Sequence, residues 1–178
     1  MKTVVIYTSK RGSTKKYAEW IGEELKCDVI EYNKDCLDKL NAYEQIIYGG
    51  WVRGGGIVGL DKLRKNYKYI DGKKLMVFAV GLSIDNKENY IQLREINFKA
   101  PLNLAPLFVL PGAFDPEKLT GVDKMIIGIL KKVIGGKKNN DSKGENESEQ
   151  QIMMESLEKG VDLVDKSKIN QILDAARD

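Results

Sequence analysis

The sequence predicts a doubly wound α/β fold, in which helices cover both faces of a parallel sheet. Apolar segments with the length and composition of strands alternate along the chain with segments of helical periodicity. Repeated strand–helix–strand order produces a parallel sheet, because right-handed crossovers leave few other arrangements. We expect residues 1–178 to form a single domain, since this length is close to the common size of one domain.

Five strands are predicted. The first, 2–8, is a nearly continuous apolar and β-branched run, which is typical of a strand covered on both faces. The other four are 27–32 (CDVIEY), 44–50 (EQIIYGG), 74–81 (KLMVFAVG) and 106–112 (PLFVLPG). The run 74–81 has the strongest buried-strand pattern of the five.

Four helices are predicted between and after these strands. From Ser13 onward, apolar residues recur at helical spacing and charged residues fall between them, which indicates an amphipathic helix. The others are a short helix over 60–67, a helix over 86–97 with Tyr90, Leu93 and Ile96 on its inner side, and a closing helix over 169–176 with Ile169, Ile172 and Leu173 facing inward.

Composition excludes several classes of function. A formal net charge of +3 gives no indication of nucleic-acid binding. Cys27 and Cys36 lack metal-ligand spacing and the chain has no histidine, so structural zinc is not expected. The chain shows no export signal, and its longest strongly apolar run, 125–130, is far short of the ~20 residues of a membrane span. We therefore expect a cytoplasmic protein.

The alternation of strands and helices is interrupted at about 113–166, which we interpret as an insertion. Within it, 119–134 carries an apolar stripe at helical spacing with lysines away from the stripe, a pattern that predicts a basic amphipathic helix. Two interpretations remain open. The stripe covers the edge of the core, or it contacts a membrane surface, a redox partner or an apolar substrate. The polar segment 137–151 is predicted to be a loop.

The loop after the first strand is the candidate binding site, and it consists of Thr8, Ser9, Lys10, Arg11, Gly12, Ser13 and Thr14. The amides at a helix N-terminus and the helix dipole attract anions, and hydroxyl groups donate hydrogen bonds to phosphate oxygens. Gly12 allows the backbone to turn closely around a ligand. The alternative interpretation is an ordinary polar turn in which Ser13 or Thr14 only caps the helix.

Several more specific phosphate chemistries are excluded by inspection. The loop has no Walker pattern ending in Gly-Lys-Ser/Thr, and no G-x-G-x-x-G follows the first strand. It also lacks the cysteine nucleophile of a phosphatase and the acidic residues of a receiver domain. Noncovalent phosphate binding remains.

The segment VIYTSKRGST, residues 5–14, resembles the phosphate-binding loop of the flavodoxins, which bind FMN. The resemblance implies a five-stranded sheet in the order 2-1-3-4-5, with FMN phosphate on residues 8–14. The loop departs from the common flavodoxin pattern in two ways. Tyr17 stands where an alanine is usual, and Lys10 and Arg11 replace mostly neutral residues.

These departures are similar to the menaquinone-linked protoporphyrinogen IX dehydrogenase branch of the flavodoxin-like proteins. That branch has a charged first loop, a basic residue after the third strand, and a long insertion with a basic apolar helix ending in Gly-Gly. Here these features match Lys10 with Arg11, Arg53 in GGWVRGGG, and the segment 123–136. The resemblance implies porphyrinogen oxidation in heme biosynthesis with electrons passed to a quinone. The alternatives are a small electron shuttle that serves a redox partner protein, and a binding domain that has lost FMN.

The flavin ring is expected between the loops that follow the third and fourth strands, where proteins of this fold supply flat walls and backbone groups. The loop after the third strand offers Gly50, Trp51, Val52, Arg53 and Gly54. The loop after the fourth strand offers Gly81, Leu82, Ser83 and Asn86. Trp51 either stacks on the ring or packs on its own loop. No side chain is expected to act as a catalytic acid or base, because the flavin carries the electrons.

Overall fold

A computed structural model describes residues 1–82, 87–118, 124–125, 127–128, 155 and 158–178. The chain divides into two compact units. The first comprises Met1–Gly112 and Val164–Asp178, and the second comprises Ala113–Leu163. The expectation of a single domain with an insertion at about 113–166 stays a prediction.

The first unit is built on a parallel sheet. Its strands are β1 (Thr3–Tyr7), β2 (Asp28–Glu31), β3 (Gln45–Arg53), β5 (Lys74–Gly81) and β6 (Leu107–Pro111), with the two-residue β4 (Gly56–Ile57) antiparallel to the end of β3. The order across the sheet is β2-β1-β3-β5-β6. The predicted order 2-1-3-4-5 is therefore confirmed for the five parallel strands, while β4 was not predicted.

Helices lie on both faces of this sheet. They are α1 (Ser13–Leu25), α2 (Leu60–Lys65), α3 (Lys87–Asn97) and α4 (Asn170–Arg177), with a 3₁₀ turn at Lys166–Ile169 before α4. Residues of α1 and α4 share one buried cluster with one face of the sheet, and residues of α2 and α3 share a second cluster with the opposite face. The inward positions predicted for Ile169, Ile172 and Leu173 are confirmed, since all three are buried.

Strand β1 shows why its sequence is a continuous apolar run. Val4 and Ile6 pack in the cluster with α2 and α3, whereas Val5 and Tyr7 pack in the cluster with α1 and α4. Successive side chains of a strand point to opposite faces, so both sets must be apolar when both faces are covered.

Side chains at the amino edge of the sheet bind the end of α4. The Gln45 amide nitrogen donates to the carbonyl of Ala176 at 3.1 Å, and its oxygen accepts from the Thr3 hydroxyl at 2.7 Å. The Lys74 ammonium donates to the carbonyl of Ala175 at 2.8 Å. The last carbonyls of a helix have no partner within the helix, so these contacts satisfy groups that would otherwise be unpaired.

Two predictions about local structure are wrong. The segment GGWVRGGG was expected to be a loop after residue 50, but β3 continues through Arg53 because β4 folds back and pairs with it. On α3, Leu93 is buried as predicted, whereas Tyr90 and Ile96 are exposed at 36% and 46%. The buried face of α3 is narrow. Phe98, just beyond the end of the helix, packs in the same buried cluster as Leu93.

The second unit contains a two-stranded antiparallel sheet of β7 (Ala113–Phe114) and β8 (Val161–Asp162). A 3₁₀ turn follows β7 at Pro116–Lys118. Most of the predicted basic helix at 119–134, and all of the polar segment 137–151, lie outside the described residues. In the part of the chain that the structure describes, no helix has the length and apolar character needed to cross a bilayer.

Replacing Gly49 with alanine is expected to destabilise the protein by about 1–3 kcal/mol through overpacking. A Cβ at this position of β3 would overlap the Cζ edge of the ring of Phe78, which is fully buried on the neighbouring strand. Urea denaturation measures the loss. Gly56→Ala is the matched control, because a Cβ there meets only the Arg53 carbonyl oxygen at 3.4 Å. Equal stability of Gly49→Ala and the wild-type protein would contradict the packing described.

Candidate binding site at the carboxyl edge of the sheet

The site lies where β1 ends and the chain crosses to α1. Strand β1 pairs with β2 on one side and with β3 on the other, so the direction of strand order reverses at this point. In open parallel sheets, ligands bind in the crevice outside the carboxyl ends of the strands at such a reversal. The loop predicted from the sequence, residues 8–14, occupies this position.

The N-terminus of α1 is suited to an anion. Gly12 is the N-cap residue with φ of +96°, a conformation that favours glycine, and it provides no side-chain cap. The Lys16 N–H donates to the Gly12 carbonyl at 2.9 Å, which begins the helix. No acidic residue lies in the first turn. The partial positive charge of this helix end is therefore not offset by a carboxylate of its own turn.

The four hydroxyl side chains of the loop have different environments. Ser9 Oγ accepts from the Gly12 N–H at 3.1 Å, which closes the loop and leaves the hydroxyl proton for another acceptor. Thr14 is buried in the first turn of α1, and Ser13 is partly exposed. Thr8 Oγ1 donates to the Val58 carbonyl at 2.8 Å. Since a hydroxyl has one proton, Thr8 has a structural role in this conformation, and its contact with phosphate stays a prediction.

Two aromatic side chains connect the loop and α1 to the rest of the first unit. Lys10 Nζ lies 5.9 Å from the centre of the Trp51 ring, so the structure brings the first loop and the end of β3 together. Tyr17, the residue that departs from the flavodoxin pattern, is fully buried. Its hydroxyl donates to the Pro111 carbonyl at 2.8 Å and accepts from the Asp165 N–H at 3.0 Å. The tyrosine thereby joins α1 to the end of β6 and to the segment before α4.

The predicted loop after the third strand is a β-hairpin in the structure. Trp51, Val52 and Arg53 are strand residues, and Gly54 and Gly55 form the turn with φ of +54° and +79°. Gly50 is buried, and a Cβ there would meet Ile57 Cγ2 at 2.6 Å and the Val58 carbonyl oxygen at 2.8 Å. Close packing of the hairpin is thus a sufficient reason for glycine at position 50.

The second predicted ring-binding segment is described only in part. Gly81 ends β5, and its carbonyl accepts from the Gly112 N–H at 2.9 Å. Leu82 follows and is partly exposed. Ser83 and Asn86 lie outside the described residues, so their role stays a prediction.

A cavity of about 370 Å³ adjoins Thr8 and was not predicted from the sequence. Its other lining residues come from the segments after β2 and β4 and from α2: Tyr32, Asn33, Leu37, Val58, Gly59, Lys62, Lys65 and Asn66. These residues are distant in sequence and share no motif. Only the three-dimensional arrangement shows that they meet.

Burial keeps one hydroxyl group beside the site and the thiols of both cysteines neutral. Burial raises the pKa of Tyr48, whose hydroxyl donates to the Val58 carbonyl at 2.7 Å. Burial also raises the pKa of Cys27, to about 11, with a further contribution from the negative charge of Asp28, and burial raises the pKa of Cys36. Thiols with raised pKa values are poor nucleophiles at neutral pH. Among the described residues no cluster of side chains suitable for a metal ion is found.

The fold and this edge together define a class: a doubly wound α/β protein whose first strand-to-helix turn is suited to an anion. Residues 4–141 match the model of the flavodoxin domain family, which is more than half of the chain. The chain belongs to that family. No protein of curated function matches the sequence.

Solved structures with some similarity to the chain include three bacterial and archaeal proteins. The Trp repressor binding protein from Bacillus subtilis is 19% identical, with a TM-score of 0.48 over 62% of this chain and 85% of its own. Flavodoxin 2 from Bacillus cereus is 19% identical, with a TM-score of 0.45 over 67% and 88%. A flavodoxin from the domain Archaea is 21% identical, with a TM-score of 0.43 over 71% and 90%.

The shared acceptor of Thr8 and Tyr48 gives a testable expectation. Thr8→Val and Tyr48→Phe should each reduce the free energy of unfolding by about 1 kcal/mol, because each removes one hydrogen bond to the Val58 carbonyl. The double variant should lose more than the sum of the two, since it removes both donors. Urea denaturation of the four proteins completes this double-mutant cycle. Strict additivity would contradict the sharing of one acceptor.

Proposed function

We propose that this protein binds FMN at the carboxyl edge of its sheet and transfers electrons through the flavin. One observation carries the proposal: the N-terminus of α1 begins at a glycine with no side-chain cap, where the strand order reverses, in a member of the flavodoxin domain family. The residues of the edge fit this cofactor. A phosphate monoester needs donors and positive charge, and the first turn of α1 with its loop supplies both.

The phosphate contacts are assigned to residues 9–14. The first-turn amides, Ser9, Ser13 and Thr14 would donate hydrogen bonds, and Gly12 would let the backbone approach the phosphate closely. Lys10 and Arg11 are exposed beside the turn and would add charge-assisted contacts. Thr8 would support the loop through its bond to Val58.

The ring would lie between the β3–β4 hairpin and the segment after β5. The contact of Lys10 with Trp51 supports this placement, because it joins the phosphate loop to the strand end that would face the ring. Trp51, Gly50, Val52, Arg53 and Gly54 would form one wall. The other wall would be formed by Gly81, Leu82, Ser83 and Asn86. When bound, FMN supplies the electron-transfer chemistry, and the chain orients it and excludes water.

The finer proposal is oxidation of protoporphyrinogen IX with a menaquinone as acceptor, as part of heme biosynthesis. Its support is in the sequence: the basic first loop with Lys10 and Arg11, the basic residue Arg53, and the segment 123–136. The basic amphipathic segment 119–134 would contact the membrane surface near the quinone pool, from a cytoplasmic location. The competing proposal is an electron shuttle between a reductase and an acceptor protein, which family membership alone favours.

An activity assay separates these two proposals. The purified protein is expected to be yellow and to oxidise protoporphyrinogen IX when a menaquinone analogue in lipid vesicles is the acceptor. The comparison is reduction of the same protein by a flavodoxin reductase. Activity only in the second assay would favour the shuttle. A colourless protein that does not take up FMN would instead support a binding domain that has lost the cofactor.

The hydroxyl groups of the loop are expected to matter more than its cations. Ser9→Ala, Ser13→Ala and Thr14→Val should each weaken FMN binding about tenfold, because each would lose a hydrogen bond to a charged phosphate. Lys10→Gln and Arg11→Gln should have smaller effects, because solvent screens exposed charges. Titration of the FMN-free proteins with FMN measures both sets.

Lys99→Gln serves as the control, since this exposed lysine lies beyond α3. Equal losses for the hydroxyl and cation variants would contradict the assignment of phosphate contacts.

A further inference from the structure

We infer that Asn97, at the end of α3, is a positioning residue for the flavin: it holds the β3–β4 hairpin that would form one wall of the ring site. This inference rests on the proposed FMN function and extends it. It assigns a role in cofactor geometry to a side chain that neither the sequence motifs nor the proposed contacts include.

The hairpin is too small to be stable by itself. Strand β4 has two residues, and its register with β3 consists of Val52 opposite Ile57 and Arg53 opposite Gly56. The turn has positive φ at both central residues, Gly54 and Gly55, as a tight two-residue hairpin requires. Isolated two-stranded hairpins are at best marginally stable in water, so this one depends on contacts outside itself.

Asn97 provides such contacts from its side-chain amide. The Asn97 Oδ1 atom accepts from the Ile57 N–H at 2.7 Å. The Nδ2 atom donates to the Gly55 carbonyl at 2.8 Å and to the Leu93 carbonyl, one turn back in α3, also at 2.8 Å. One amide therefore pairs with both a donor and an acceptor on the outer side of β4. It acts there as a neighbouring strand would.

Helix α3 is a firm base for this contact. Leu93 is buried against the sheet. The Arg94 guanidinium donates to the carbonyls of Asn103 and Ala105 at 2.8 and 3.0 Å, and it lies 4.6 Å from the ring centre of Phe98. Asn97 thus connects the hairpin to a helix that is held in place by the contacts of Leu93 and Arg94.

The contact of Asn97 bears on the proposed ring site through the hairpin itself. Trp51, Val52 and Arg53 of β3 would form one wall of that site, and Asn97 binds the strand that pairs with them. Asn97 is therefore the joint between α3 and the proposed wall.

Loss of this joint should change both the affinity for FMN and the redox potential of the bound cofactor. Binding groups must be held within about 0.5 Å of their working positions, and backbone groups of the hairpin would lie beside the ring. The potential depends on how differently the site binds the oxidised and reduced cofactor. A hairpin that moves more freely alters that difference.

The test compares Asn97→Leu with the wild-type protein and with Ile172→Ala, a core variant of α4 in the cluster on the opposite face of the sheet. Leucine has nearly the shape of asparagine but makes no hydrogen bonds, so it removes the joint and keeps the helix. We expect FMN binding to weaken about tenfold, because the variant loses the two hydrogen bonds between Asn97 and the hairpin. We also expect the midpoint potential of bound FMN, measured by equilibration with reference dyes, to shift. Ile172→Ala should lower the urea midpoint of unfolding while leaving affinity and potential near wild type.

Hydrogen exchange provides a readout that does not need the cofactor. In the FMN-free Asn97→Leu protein, the Ile57 amide should exchange at least about tenfold faster than in the wild type, while amides of β1 keep their protection. Asn97→Ala should behave in the same way and replaces the leucine variant if that variant does not fold.

The outcomes are distinguishable. A wild-type protein that does not bind FMN would overturn the proposed function and this inference together. A wild-type protein that binds FMN, with variants at Asn97 of unchanged affinity and potential, would overturn the inference alone. Shifts of equal size in Ile172→Ala would show general destabilisation, and would also overturn it.

Discussion

Burial of the sheet on both faces is the constraint on which the rest of this structure depends. Because β1 alternates between two cores, its residues from Val4 to Tyr7 are all hydrophobic, and the strand lies in the interior of the sheet between β2 and β3. That position places the end of β1 at the reversal of strand order. The position of the loop 8–14, the uncapped start of α1 and the approach of Lys10 to Trp51 all follow from where this one strand ends.

The sequence was sufficient for features that depend on local pattern. Strand 74–81 was predicted to the residue, and the start of α1 at Ser13 was also correct, because a continuous apolar run and apolar residues at helical spacing are strong local signals. The first loop was found for the same reason. Its residues are contiguous, and the chemistry of a hydroxyl-rich turn at a helix start is visible without a structure.

The features that were missed depend on residues distant in sequence. The extension of β3 through Trp51 to Arg53 requires β4 to fold back. Gly54 and Gly55 suit a two-residue hairpin turn, but β4 has only two residues and is too short to show an alternating strand pattern. The cavity beside Thr8 draws its lining from several segments. Asn97 was read only as the last residue of a helix, since its three hydrogen bonds join partners that no spacing rule connects.

The contacts of Gln45 and Lys74 with the end of α4 have a consequence for how the protein tolerates change. At the amino edge of the sheet, strand side chains hydrogen-bond to the last carbonyls of α4, whereas the opposite edge carries the loops that follow the strands. Mutations that loosen the amino edge reduce the fraction of folded molecules, whereas mutations of exposed loop residues such as Lys10 and Arg11 change the charge of the opposite edge at little cost in stability. Stability and the surface chemistry of the loops can therefore change separately at the two edges of one sheet.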